Sequence, residues 1–198
     1  MEMLVMAVGA YQTNCYMVWL EGREDCVLID PGSAHKEILE IVEKQKKTVA
    51  AILLTHGHFD HVGAVRKIAE KTGCAVYLDP AEKNLPAFMT AGPLYSTDDY
   101  EGKVCVAGLE FEVLHTPGHT PGSVCLLCED VIFSGDTLFA GSCGRTDFPG
   151  SDPKAMKVSL QKLKDRSGDF RVFSGHGEDT TLSFERENNP YMRGLPQH

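Results

Sequence analysis

The stretch Val49-Ala50-Ala51-Ile52-Leu53-Leu54-Thr55-His56-Gly57-His58-Phe59-Asp60-His61 decides how the chain reads. Its first six residues are apolar and β-prone, the pattern of a buried strand. Three histidines and an aspartate then fall within six consecutive positions. After them, Val62 to Gly73 carries apolar residues at helical spacing: Val62, Val65, Ile68 and Ala69. The polar cluster therefore sits where a strand hands over to a helix. In an α/β fold that is the carboxyl edge of the sheet, where sites are usually built. A metal of borderline softness takes imidazole nitrogen and carboxylate oxygen as ligands. His56 and His58 are two apart, so an extended segment points both the same way. Asp60 and His61 follow once the chain has curled, and they can face a second point nearby. Gly57 leaves that approach unobstructed.

Seven residues cannot complete two metal sites, so the remaining ligands must lie downstream. Three stretches supply candidates: Thr116-Pro117-Gly118-His119, Phe133-Ser134-Gly135-Asp136-Thr137 and Val172-Phe173-Ser174-Gly175-His176-Gly177. Each follows or ends an apolar β-like run and sets one ligand-type residue beside glycine. His119, Asp136 and His176 can thus arrive at one sheet edge from three further strands.

Thr55 to His61, with His119, Asp136 and His176, resembles the metallo-β-lactamase-fold hydrolases from Gly9 to about Pro190. Gly135-Asp136-Thr137-Leu138-Phe139, Cys143-Gly144-Arg145-Thr146-Asp147-Phe148-Pro149-Gly150 and Gly175-His176-Gly177 resemble the short glyoxalase II-like branch, the hydroxyacylglutathione hydrolases. Gly144-Arg145-Thr146-Asp147 also looks like the persulfide dioxygenases. The resemblance implies a four-layer αββα sandwich with two mixed β-sheets; periodicity alone shows only the α/β alternation. It implies two divalent metal ions, zinc first, with iron or manganese accepted by the same donors. His56, His58 and His119 would hold one; Asp60, His61 and His176 would hold the other; Asp136 would bridge them. The implied chemistry is hydrolysis of a thioester by water activated between the cations. Asp60 would also orient that water. Asp30, which ends the run Cys26-Val27-Leu28-Ile29, would orient site residues without ligating; as a residue it also reads as an ordinary turn before Pro31-Gly32. Arg145 would contact the substrate, or brace its loop by pairing with Asp147. The alternative, a mononuclear iron persulfide dioxygenase, needs only His56, His58 and, in part, the His119 and Asp136 groups.

Composition narrows the classes. The 198 residues suit one domain with a real core. Net charge is −9, which argues against a nucleic-acid surface. The amino terminus has no basic start followed by a long apolar stretch, and no segment approaches a membrane span of ~20 apolar residues. A cytoplasmic location is expected, with a small-molecule thioester as partner; oligomeric state stays open. The seven cysteines are scattered and mostly inside strand-like runs. Cys125 and Cys128 read as strand residues despite their CxxC spacing.

Elsewhere, Met3 to Val8 and Cys15 to Leu20 read as paired strands. Ser33 is expected to cap a helix running to about Lys46. Pro80 to Tyr100 reads as a short helix and then a surface excursion bordering the site mouth. His115 is expected to pack inward, with no metal role. A helix is expected over Pro153 to Lys164, with Pro153 in its first turn, and a last one over Thr180 to Asn188. Too few residues follow His176 for the helical carboxy-terminal domain of full-length glyoxalase II. That family's aromatic residue after the last histidine is replaced by Gly177-Glu178-Asp179.

Overall fold

The computed structural model describes residues 1–90, 92–95 and 98–196. Strands β1 (Glu2–Val8), β2 (Thr13–Trp19), β3 (Asp25–Ile29), β4 (Thr48–Leu53) and β5 (Ala75–Tyr77) form the first sheet in that order. The first three are antiparallel, and β3-β4-β5 are parallel. A second sheet contains β6 (Lys103–Val106), β7 (Leu109–His115), β8 (Val124–Cys128), β9 (Val131–Gly135), β12 (Arg171–Ser174) and β13 (Thr180–Thr181), in the order β13-β12-β9-β8-β7-β6. A short ribbon of β10 (Leu138–Phe139) and β11 (Ser142–Cys143) stands beside it.

Strand alternation explains why these runs look apolar throughout. In β2, Tyr16 and Val18 face the second sheet, while Cys15 and Met17 face the outer helices. In β8, Val124, Leu126 and Cys128 point between the sheets, and Cys125 and Leu127 point outward. Each central strand is buried on both faces, so neither face is polar. Helices α1 (His35–Lys44) and α3 (Val65–Thr72) cover the first sheet. Helices α4 (Pro153–Lys164), α5 (Leu182–Asn188) and α6 (Pro190–Arg193) cover the second. This is the four-layer αββα sandwich. The CxxC cysteines fall on opposite faces of one strand. Burial pushes both thiols up to about 11, so neither is a thiolate at neutral pH.

Strand direction brings the site together. β7 and β9 are both antiparallel to β8, and β12 is parallel to β9. All three therefore end at one edge, where they release His119, Asp136 and His176. β3 and β4 run parallel in the other sheet and deliver Asp30 and the His56–His61 stretch.

Some local expectations change. The helix expected from Val62 is two pieces, α2 (Phe59–Val62) and α3. Between them Ala64 N–H donates to Pro31 O at 3.0 Å, so the chain docks on the Pro31-Gly32 turn instead of continuing the helix. Ser33 does not cap α1: Ala34 is its N-cap, in the left-handed region, with no side-chain cap bond. Thr180 and Thr181 pair with β12 before α5 begins, because Thr181 Oγ1 caps α5 by accepting from Phe184 N–H. A further short helix, α6, follows directly from Pro190 to Arg193. His115 is 51 % exposed and pairs with Asp79 at 3.1 Å, so it does not pack inward. The segment after β5 opens with a 3-10 turn (Pro80–Asn84); Ser96 and Thr97 of the expected excursion lie outside the described residues.

Phe133 is fully buried between the sheets, with its ring centroid 5.2 Å from that of Tyr16 and 6.2 Å from that of Phe173. Phe133→Ala is expected to cost about 3–5 kcal/mol, read as a lower urea midpoint at unchanged slope.

Candidate metal centre

The seven ligand-type side chains singled out in the sequence converge at this edge. One possible ligand atom each from His56, His58 and His119 lies within 4.8 Å of the others; Asp60, His61 and His176 form a second such group. Asp136 lies between them. Its Oδ2 is 3.4 Å from His119 Nε2 in the first group and 3.7 Å from His176 Nε2 in the second. Its Oδ1 is 3.4 Å from His61 Nε2. One carboxylate reaches both clusters.

Each imidazole has two nitrogens, and the partner of one decides what the other can do. Asp30 is buried, with φ +49°, and takes three bonds from the motif. Thr55 N–H donates to Oδ1 at 2.8 Å, the Thr55 hydroxyl to Oδ2 at 2.6 Å, and His61 Nδ1 lies 2.9 Å from Oδ2. With its hydroxyl hydrogen committed to Asp30, Thr55 Oγ1 accepts from His56 Nδ1 at 3.1 Å. His119 Nδ1 donates to Arg145 O at 2.8 Å, and His176 Nδ1 to Tyr11 O at 3.2 Å. Four imidazoles are thus held at Nδ1 and present Nε2 inward. His58 turns the other way: its Nδ1 lies 2.9 Å from His119 Nε2. Asp30, His56 and His61 also have ligand-type atoms close together. The bonds from Thr55 and His61 engage both Asp30 oxygens, however, which places Asp30 behind the imidazoles.

Among the described residues, His56 Nε2, His58 Nε2 and Asp136 Oδ1 are buried without a hydrogen-bond partner. Such atoms are costly in a folded protein. With clustered imidazoles and carboxylates, His56 Nε2 and Asp136 Oδ1 fit a site for borderline divalent cations; His58 meets the cluster through Nδ1 instead. The electrostatics agree. Burial and the neighbouring imidazoles push His56 well below its ordinary value, and burial followed by His119 lowers His58 to about 4. Both are neutral near pH 7, with lone pairs to offer. Burial works against charge on His61, but Asp136 and Asp30 raise it well above the ordinary value. Burial would likewise raise Asp60, yet the hydrogen bond with His176 and the charge of His61 hold it low.

Arg145 belongs to this wall through its carbonyl. Its guanidinium lies at the surface, donates to both Asp147 oxygens at 2.7 Å and sits 3.9 Å over the Phe148 ring. That ring stands edge-on to His58 at 5.8 Å. Three contributors had no sequence signal. The Thr13 hydroxyl donates to Asp60 Oδ2 at 3.1 Å. Asn14 Nδ2 donates to Ser174 O and Gly177 O on either side of His176, at 3.1 and 3.0 Å. Glu82 bonds to two loops of the site. Thr and Asn near a strand start, and an acid in a short turn, are ordinary sequence; only their distant partners mark them.

Residues 8–176 match the family model for the metallo-beta-lactamase superfamily. The chain belongs to this superfamily. Over 206 residues it is 36% identical to a probable metallo-hydrolase, YqgX, of Bacillus subtilis, covering 96% of this chain and 97% of that one. It is 32% identical to the hydroxyacylglutathione hydrolase GloC of Haemophilus influenzae, covering 97% and 98%. Among solved structures, the BLEG-1 B3 metallo-beta-lactamase superposes with TM-score 0.88 at 34% identity, covering 98% and 100%. TTHA1623 in a di-iron-bound form superposes at 0.85 with 38% identity, covering 95% and 99%. ETHE1 from Myxococcus xanthus superposes at 0.82 with 28% identity, covering 99% and 86%. As a superfamily member the chain thus pairs the fold with His/Asp clusters able to bind metal ions. Among the described residues no helix is long and apolar enough to cross a membrane.

The site of this superfamily member is also packed tightly. A Cβ at Gly175 would meet Asp136 Oδ1 at 2.3 Å and His61 Cε1 at 2.6 Å. Gly175→Ala is expected to destabilise the chain by about 1–3 kcal/mol through overpacking and to lower its metal content. Denaturation midpoint and elemental analysis check both; a variant unchanged in either would contradict this close approach.

Proposed function

We propose that the chain is a binuclear metal-dependent hydrolase that cleaves thioesters, hydroxyacylglutathione among them. The observation that carries this reading is Asp136, one carboxylate within reach of both clusters. His56, His58 and His119 would hold one cation, and Asp60, His61 and His176 the other, with Asp136 between. Zinc suits these donors, as do iron and manganese. Bound there, the pair would supply Lewis acidity at the carbonyl oxygen and a water whose pKa falls from ~15.7 to about 7.

The chain's own residues do the rest. Asp60, fixed by the Thr13 hydroxyl, accepts a hydrogen bond from the attacking water and orients it toward the carbonyl carbon. Asp30 orients His61 directly and His56 through Thr55. Water adds to the carbonyl, the C–S bond breaks, and the products are a carboxylic acid and a thiol. No protein nucleophile takes part. Arg145 would meet a carboxylate of the thiol portion, exchanging its contact with Asp147 for the substrate. The GloC likeness supports a glutathione thioester, and the chain is expected to work in the cytoplasm.

Purified protein is expected to carry about two metals per chain by elemental analysis and to release thiol from lactoylglutathione. His58→Ala is expected to lose a cation and to lower kcat/KM by at least about 100-fold, since losing a ligand exceeds the 10–100-fold typical of losing the group behind one. Normal hydrolysis with unchanged metal content would count against the assignment, as would faster turnover of a β-lactam. Arg145→Ala is expected to raise KM about two- to five-fold with kcat little changed, the size of one exposed ion pair.

The ETHE1 likeness and the Gly144-Arg145-Thr146-Asp147 loop support a second reading, a mononuclear iron dioxygenase acting on a persulfide. One iron per chain with oxygen uptake on glutathione persulfide, and no thiol release from the thioester, would favour it.

A further inference from the structure

Glu82 sits in the 3-10 turn Pro80–Asn84 and is completely buried. Among the described residues it forms no ion pair with Lys, Arg or His. A buried carboxylate without a cation is costly unless both oxygens are satisfied. Here each takes one peptide N–H: Gly57 donates to Oε2 at 2.6 Å and Gly122 to Oε1 at 2.7 Å. These are short, charge-assisted bonds. The Gly57 amide belongs to the peptide joining His56 to Gly57, midway between two histidines of the first cluster. Gly122 lies three residues beyond the third, His119. The two loops leave different sheets, one after β4 and one after β7. The absence of side chains admits the carboxylate: a Cβ at Gly57 would lie 3.1 Å from Oε2, and one at Gly122 2.8 Å from Oε1. Farther along the same segment, Met89 O accepts from Phe59 N–H at 2.8 Å. The stretch from Pro80 to Met89 is thus a strap across the histidine loop, held at both ends.

We propose that Glu82 is a positioning residue for the His56–His58–His119 cluster, its single carboxylate clamping the two loops that carry those histidines. This rests on the reading that the cluster holds a cation. The clamp sets the spacing of the cluster from behind, through peptide bonds, and touches neither substrate nor cation. It gives the Pro80–Met89 segment a role in metal affinity.

The test is chelator competition on the zinc-loaded full chain, comparing wild type with Glu82→Gln. Glutamine keeps the shape but turns one acceptor into a donor, leaving one of the two N–H groups unmet. One zinc is expected to leave at about 10–100-fold higher free zinc in the variant, while the other is held as in wild type. Gly122→Ala keeps Glu82 and sets a methyl against its Oε1 and against Asp79 Oδ1. It is expected to show the same selective loss, and it supplies the readout if Glu82→Gln does not fold. Leu163→Ala, in the core beneath the second sheet, controls for general loosening. A Glu82→Gln chain that holds both zincs like wild type overturns the proposal. So does equal weakening of both, matched by Leu163→Ala. A wild-type chain that holds none of zinc, iron or manganese overturns the metal reading itself, and this proposal with it.

Discussion

An imidazole can give a lone pair to a cation only from the nitrogen that is not carrying its proton. The site is arranged around that constraint. Thr55 Oγ1, Asp30, Arg145 O and Tyr11 O each accept from one ring nitrogen, leaving the opposite one aimed inward. The Asp30 carboxylate matters most, because it binds the Thr55 amide, the Thr55 hydroxyl and His61 together. Through them it sets one histidine of each cluster.

The sandwich provides this arrangement because its strand ends are rigid and share an edge. The groups behind the histidines come from both sheets and from loops far apart in the chain. Asn14, at the start of β2, holds the carbonyls around His176. Glu82, after β5, bonds beside His56 and beyond His119. A site built this way departs from what stability alone would favour. Lone pairs crowd and buried atoms lack partners. Such concentrated local conflict belongs to functional sites, and the surrounding packing holds it in place.

The surface loop beside the clusters is less constrained than the clusters themselves. Arg145 takes part in each through different atoms: its carbonyl accepts from His119, while its guanidinium pairs with Asp147 at the surface. Side-chain substitution there should therefore leave the metal geometry largely intact. The superfamily relatives span differently named activities, among them a hydroxyacylglutathione hydrolase and a B3 metallo-beta-lactamase. Membership of the superfamily therefore does not by itself choose between them.

The sequence by itself determined the α/β alternation, the strands before each polar turn, and the His56–His61 motif with His119, Asp136 and His176. Those signals are local: buried strands are apolar on both faces, and ligand residues stand beside glycine at their ends. The family resemblance added the four layers. Only the tertiary structure decided the break between α2 and α3, the exposure of His115, and the parts played by Thr13, Asn14 and Glu82. Each depends on a partner distant in the chain: Pro31 for Ala64, Asp79 for His115, Asp60 for Thr13, Ser174 for Asn14, Gly57 and Gly122 for Glu82. Hydrogen bonds between loops leave no period in a sequence, because nothing in either loop alone specifies the other.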